Sequence, residues 1–426
     1  IEFHSRNNAL SSRRGFQINW ETLMEKYFRT PITVVVLAVC SFFSAQAALA
    51  DKPAAGIGYT KAPVFTTQEK IVFTLRTSYG DLWKHRAPPN TEVPEDIKEF
   101  ESPGQLSWTD SQGKHDLPVQ VHLRGNTSQV ASQCPFPKMT LSFEKGQGEE
   151  RVSKGTLFDG LKTIGIGTHC GGKPGSSVRF HRVWGGLSPH REALIYKVQE
   201  ILSIPGFQAA PASFSYIDSK TGKGPVEPQP SGFVVDRPMP GFFLEDIKTF
   251  VKYADGKEIR AADASLKDPD KPYIFTSVAN AQRDARAAGS TIEPIDPKDI
   301  IRILLFQALV GNYDWELRIL PDDIPDSQAL WNMKVVEADG NWIVFPYDYD
   351  LAGWVKADSS PPELPDLTDS RFFKPSDISV VVDEFKQKRP AIEALVDDLA
   401  KEDSSGARSI KMQIGSFYDA LARKFR

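Results

Sequence analysis

Three acidic residues and one amide crowd into the later part of this chain. Asp314 ends GNYD, Asn332 stands in WNMKV, and Asp348 and Asp350 flank a tyrosine in FPYDYDLAG. Carboxylates two residues apart on a strand face the same way, and like charges that close repel unless a cation neutralises them. Hard divalent cations take oxygen donors of this kind, so Asp348, Asp350 and the Asn332 amide oxygen read as candidate metal ligands. The competing reading is plainer: Asp after a helix and Asp after a strand are common turn and capping residues. On spacing alone both readings stand.

Phosphoryl transfer asks for more than a metal. It needs a lysine on the phosphates, a base or orienting group at the acceptor and often an asparagine. PFPKMTLSF supplies Lys138 at the start of a strand-like run, although a strand-edge lysine is commonly just solvated and guards the edge. Upstream, RGNTS reads as a tight turn fixed by Arg124 and Asn126. His169 beside Cys170 could form a nucleophilic or metal-binding pair. With no second histidine clustered nearby, a structural role is expected.

Several elements must position these groups. KIVFTLRTS (70–78), LPVQVHLRG (117–125) and KMTLSFE (138–144) alternate apolar and polar residues and read as strands of an antiparallel meander. The glycine-rich IGIGTHCGGKPG (164–175) reads as irregular. From His190 the period becomes helical through Leu194, Val198, Ile201 and Leu202. APASFSYID (210–218) reads as a strand, with SGFVVDRP and GFFLEDI as two further candidates. Residues 254–297 are polar and read as an insertion with a helix over 278–288. PKDIIRILLFQALVGN (297–312) has the clearest helix signals, with Asp296-Pro297 at its start, a buried stripe through Ile300, Leu304, Leu305 and Ala308, and Gly311 at its stop. The Asp-Gly of EADGNW predicts a hairpin leading into FPYDYD, and the tail from 375 is helical.

The bulk properties narrow the class. At 426 residues, 40% hydrophobic and 25% charged, the chain is ordinary globular protein of one large or two smaller domains. A formal net charge of -4 gives no basic footprint, so no nucleic-acid partner is expected. Residues 1–23 read as an upstream or non-native segment. Residues 24–50 read as a signal peptide: Lys26 and Arg29, an apolar core, then Ala48-Leu49-Ala50 before Asp51. The apolar run is short for a membrane span, and Val39 before Cys40 argues against lipidation. The expectation is a protein secreted or periplasmic after cleavage near Ala50, with no stable membrane span and a linker over 51–65. Cys134 and Cys170 then remain, able to form one bridge in an oxidising compartment or to stay as two buried thiols.

Taken in order, RGNTS, PFPKMTLSF, REALIYKVQEIL, APASFSYID, GFFLED, LFQALVGNYDW, WNMKV and FPYDYDLAG resemble the CotH (spore-coat protein H) kinase-like family over roughly residues 70–356. The likeness is to a secreted bacterial branch with Gly-Asn-x-Asp-Trp and Pro-Tyr-Asp-x-Asp motifs. The resemblance implies an α+β, two-lobed atypical protein-kinase-like fold, with a β-rich N-terminal lobe over 66–187 and a mixed or helical C-terminal lobe over 188–426. It implies Lys138 on nucleotide phosphates, Glu192 or Glu200 as its helix partner, and Arg124 on the cofactor side. Asp314 would be the catalytic-loop residue, and Asn332 with Asp348 or Asp350 would hold Mg2+ or Mn2+. ATP or another nucleotide would be the donor and a protein, or an envelope partner, the acceptor. Trp315 and Glu316 stand where the family has a basic residue and a histidine, and no G-x-G-x-x-G loop precedes Lys138. Three functions follow as expectations: metal-dependent phosphoryl or nucleotidyl transfer to a protein, an inactive kinase-like interaction protein of the envelope or surface, or a metal-dependent phosphoester hydrolase.

Overall fold

The computed structural model describes residues 62–67, 69–86, 100–125, 127–144, 150–172, 177–179, 182–259, 296–315, 332–339, 341–365, 367 and 373–425. All of them belong to the compact unit Gly56–Arg426. The segments read as upstream sequence and signal peptide lie outside the described residues, as do the helix expected over 278–288, most of the polar insertion, Asn126 and Glu316.

The strands are β1 Val72–Thr77, β2 Ser102–Asp110, β3 Gly113–Leu123, β4 Met139–Phe143, β5 Thr163–Gly167, β6 Ser177–Arg179, β7 Arg182–Trp184, β8 Ala209–Asp218, β9 Met239–Leu244, β10 Lys257–Ile259, β11 Met333–Ala338 and β12 Asn341–Pro346. The helices are α1 Tyr79–Lys84, α2 Ser188–Ile201, α3 Ile247–Tyr253, α4 Pro297–Val310, α5 Gly353–Lys356, α6 Pro375–Ala400 and α7 Ser404–Lys424. The chain is therefore a mixed α/β protein with a strand-rich region followed by helices and a small sheet.

The expected meander forms, and it closes. Strands β1 to β5 pair antiparallel in chain order, and β9 and β8 complete a seven-stranded barrel. The closing seam is parallel, with Val72 opposite Ser213 and Thr77 opposite Asp218. The β-rich region expected over 66–187 thus also takes in two strands from beyond residue 187. Its reason is burial: an open five-stranded sheet would expose the apolar faces of β1 and β5. Phe73, Leu75, Val121, Leu141, Ile166, Phe214 and Phe243 fill the interior, with Phe73 and Phe243 packed edge to face at 4.8 Å between centroids.

Two local expectations are corrected. Thr163–Gly167, overlapping the start of the stretch read as irregular over 164–175, form β5. Ile164 and Ile166 keep the strand period, and the glycines that alternate with them, Gly165 and Gly167, hide it. A Cβ on Gly165 would meet Arg124 Nη1 at 2.1 Å, and one on Gly167 would meet the Phe242 ring at 1.9 Å, so these positions are covered by a side chain from just past β3 and by one from β9. The second correction concerns SGFVVDRP. It forms no strand beyond an isolated bridge between Val226 and Val234, both of which are exposed. The end of the expected linker is also folded in: Val64 and Phe65 are buried against the barrel core.

A second apolar cluster joins α2, α4, α6, α7 and the β11–β12 hairpin. Burial on α4 extends beyond the expected stripe to Ile301, Phe306, Leu309 and Val310, because α6 and α7 cover one side and β12 lies against another. Asp296 caps its start, accepting from the Lys298 N–H at 2.9 Å. Gly311 ends it in the left-handed region at φ 65. A Cβ there would also meet the buried Gln413 amide at 2.4 Å. Gly311→Ala is therefore expected to cost about 1–2 kcal/mol, read as a lower urea midpoint with an unchanged slope. An unaltered midpoint would refute the constraint.

Cys134 and Cys170 form a disulfide with Cα atoms 4.7 Å apart, inside the range such bridges span. The expectation of two free thiols is thereby set aside. His169 is structural, as its lack of histidine neighbours suggests. It is fully buried, pairs with Glu227 at 3.1 Å, and Glu227 also accepts the Gly172 N–H at 3.2 Å. Among the described residues no helix is long and apolar enough to cross a membrane.

Candidate functional site

Lys138 stands one residue before β4, and alternation along that strand decides where it points. Met139 and its cross-strand partner Leu123 face the barrel interior. On the next rung Arg124 donates its backbone N–H to the Lys138 carbonyl at 3.0 Å, so both basic residues leave the barrel on its outer face. There the Lys138 ammonium contacts the Asp348 carboxylate, lies 3.1 Å from Asp350 Oδ2 and 3.6 Å from Glu192 Oε1. Its side chain is 9% exposed, against 6% for Glu192, 13% for Asp350 and 31% for Asp348. This is not a solvated edge lysine. Three carboxylates on one ammonium leave the cluster formally anionic.

Each carboxylate arrives on a different kind of support. Glu192 comes from the first turns of α2, whereas Glu200 lies on its exposed side with Lys197 at 3.4 Å. Asp348 and Asp350 follow β12, but the shared strand face expected for them is not how they converge. Asp348 turns the chain with φ 62, and its N–H donates to the Tyr196 hydroxyl at 3.1 Å. Tyr349 between them is fully buried, its hydroxyl donating within 2.9 Å of Gln199 Oε1 and 2.8 Å of the Pro346 carbonyl. The tyrosine of Asp-Tyr-Asp is thus the anchor under α2 that holds two carboxylates out toward the lysine. Sequence reading passed over Tyr349, Tyr196 and Gln199, although an aromatic between two acids is itself a signal of an anchored turn.

Asp314 and Asn332 form a second pair. Asn332, at φ 51, donates its amide to the Asp314 carbonyl at 2.7 Å and to Asp314 Oδ2 at 3.1 Å. The Asp314 N–H in turn donates to Asn312 Oδ1 at 3.1 Å, and Asn312 is buried against Gln307. Two backbone bonds join this pair to the loop bearing the other acids: Tyr347 N–H to the Asn332 carbonyl at 3.0 Å, and Gly353 N–H to the Gly311 carbonyl at 2.9 Å. The Asn332 amide group is thus engaged with Asp314, while Asp348 and Asp350 share Lys138. Arg124 lies across Gly165, with its charge felt by the Tyr347 phenol.

A small open cleft runs along this cluster, lined by Lys138, Glu192, Asp350, Ser188, Thr168 and the Cys134–Cys170 bridge. Its empty space of about 340 Å³ includes the open mouth and adjoining solvent, so the enclosed part is small. Asp314 and Asn332 are not on its wall. Among the described residues no three His, Cys, Asp or Glu side chains are grouped to hold a metal. Asp348 and Asp350 nonetheless carry oxygen donors suited to Mg2+ or Mn2+, which commonly takes one or two carboxylates and completes its shell with phosphate and water.

The surrounding phenols stay protonated. Burial, and then the Glu192 and Asp348 charges, push Tyr196 well up; burial with the Asp348 charge raises Tyr347 to about 12. Lys356 at the end of α5 is lowered by burial, against the opposing pull of Asp358 and Asp314.

No family model and no curated protein matches the chain. Among solved structures it is similar to the proinflammatory kinase CtkA of Helicobacter pylori, with 9% identity and a TM-score of 0.37 over 67% of this chain and 94% of that one. It is also similar to HipA of Shewanella oneidensis MR-1, from a toxin–antitoxin complex with HipB and operator DNA, with 11% identity and a TM-score of 0.30 over 68% and 65%. Both scores are low, and neither likeness carries an argument about this chain. The resemblance to the CotH family is therefore carried by the ordered sequence motifs alone.

Proposed function

We propose that this chain is a kinase-like phosphotransferase that moves a phosphoryl, or nucleotidyl, group from ATP or another nucleotide to a protein acceptor. The observation that carries this is the buried Lys138 ammonium between a helix carboxylate, Glu192, and the loop carboxylates Asp348 and Asp350. An arriving phosphate would compete with the two loop carboxylates for Lys138, leaving Glu192 to hold the lysine in place. Asp348 and Asp350, released from Lys138, would hold Mg2+ or Mn2+. That ion, when bound, would neutralise charge on the transferred group. Asp314, kept in one orientation by Asn332 and Asn312, would orient the acceptor hydroxyl and take its proton. The disulfide agrees with a secreted or periplasmic setting, since such bridges persist in oxidising compartments.

A second reading has its own observation. Asp314 is bonded to Asn332 away from the cleft wall, and Trp315 follows it, as would suit an inactive kinase-like surface protein. Thermal shift with ATP or GTP and Mn2+ separates the two readings. Wild type is expected to be stabilised and Asp350→Ala not. Transfer of label from the γ-phosphate would mark a kinase, and from the α-phosphate a nucleotidyl transferase. Absence of any nucleotide-dependent shift in wild type would sink the phosphotransferase reading.

A further inference from the structure

The Lys138–Glu192 contact depends on where α2 sits, and one residue on α2 binds three parts of the fold together. Arg191 is buried. Its Nε donates to Asp403 Oδ2 at 2.6 Å, and its Nη1 donates to the carbonyl of Val355 at 2.9 Å. Val355 belongs to α5, which follows the Asp350 loop and lines the same cleft as Glu192. Asp403 is the N-cap of α7, its other oxygen accepting the Gly406 N–H at 2.9 Å. A single guanidinium therefore ties the helix of Glu192, the segment after Asp350 and the start of the last helix.

Gly406 shows that this junction is built for close approach. Glycine in a first helical turn is a poor helix former, yet a Cβ at Gly406 would meet Asp403 Oδ2 at 2.2 Å and Arg191 Nε at 2.5 Å. Only the missing side chain lets the ion pair form against the helix. Lysine could keep the charge opposite Asp403, but its point-like ammonium lacks the planar fork that reaches two acceptors in fixed directions.

We infer that Arg191, seated by Asp403 and Gly406, is a positioning residue for the phosphate site: it fixes Glu192 and the Asp350 segment relative to each other, so that Lys138 is held between them. This rests on the proposed phosphate role of Lys138. Arg191 touches neither nucleotide nor acceptor in this scheme and acts only through the groups it aligns.

The test uses two variants that disturb the junction differently, Arg191→Lys and Gly406→Ala, with Ile410→Val as a control. That control trims the fully buried α7 core one turn beyond Gly406, leaving Arg191, Asp403 and Gly406 themselves unaltered, at a cost of about 0.5–1.5 kcal/mol. Two readouts are taken on the full chain: ATP affinity with Mn2+, and labelling of Lys138 by an amine acylating reagent, followed by peptide mass spectrometry. Misplacing a site by about 1 Å can cost up to about a hundred-fold. ATP affinity is therefore expected to fall about ten-fold in both junction variants, with Lys138 labelling rising by a similar factor, and neither should change in Ile410→Val. If one junction variant fails to fold, the other decides. Lys138 labelling no higher than in the control overturns the inference, whatever ATP does. If wild type binds no ATP, the phosphotransferase reading fails, and labelling alone still judges whether Arg191 positions Lys138.

Discussion

Replacing Lys138 with methionine is expected to abolish the nucleotide-dependent thermal shift and to destabilise the protein even without nucleotide. Methionine keeps the length and apolar stem of the side chain, so the change isolates the charge. Without it, Glu192, Asp348 and Asp350 face one another with no ammonium between them. Removing one partner from a buried ion pair costs about 3–5 kcal/mol because the other charge is left uncompensated. The low end, about 3 kcal/mol, applies here, since the Asp348 side chain is 31% exposed and partly screened by water. Urea denaturation measures the loss. Adding Asp348→Asn to Lys138→Met should recover part of it by removing one of the repelling carboxylates. A variant that keeps the wild-type ATP shift would show that phosphates do not bind at Lys138. A variant of unchanged stability would show that the cluster is not electrostatically coupled.

Reducing the Cys134–Cys170 bridge is the second change expected to have a large effect. The cysteines are 36 residues apart, and closing a loop of that length removes unfolded-chain entropy worth about 3–4 kcal/mol. Denaturation with and without reductant, or of Cys134→Ala/Cys170→Ala, reads that difference directly. The bridge also lines the cleft and holds the segment leading into β4 to the end of β5, where Phe136 pairs with Cys170. Reduction should therefore weaken ATP binding beyond what its loss of stability accounts for, whereas Ile410→Val, which trims the α7 core, should lose stability without weakening ATP binding. A denaturation midpoint indifferent to reductant would mean that the bridge does not form in solution.

What could be read from the sequence was what local physics encodes. Helix α4 carries its own start and stop, Asp296-Pro297 and Gly311, and folds between them. β1, β3 and β4 announce themselves by alternation. Lys138, Glu192, Asp348 and Asp350 do meet, though their spacing alone left capping residues as an equal reading. What stayed hidden depends on distant neighbours. β5 is masked because Gly165 and Gly167 carry the side chains of Arg124 and Phe242 over them. The pairing of β8 with β1 leaves no periodic mark on either strand. The left-handed turn at Asp348 follows from Tyr349 docking beneath α2, a tertiary event, and Asn332 turned to Asp314 for the same kind of reason.

The parallel seam of the barrel has a kinetic meaning. Strands β1 to β5 can assemble as successive antiparallel neighbours, whereas β1 cannot meet β8 until α2 has crossed between β5 and β8. Contacts between segments far apart in sequence form slowly, because the entropy of closing the intervening chain is lost before the contact repays it. The seam is then a late event in folding, and so is the docking of α2 that brings Glu192 to Lys138. A chain halted before β8 would carry the lysine on a finished hairpin, with Asp348 and Asp350 still absent and Glu192 on an undocked helix.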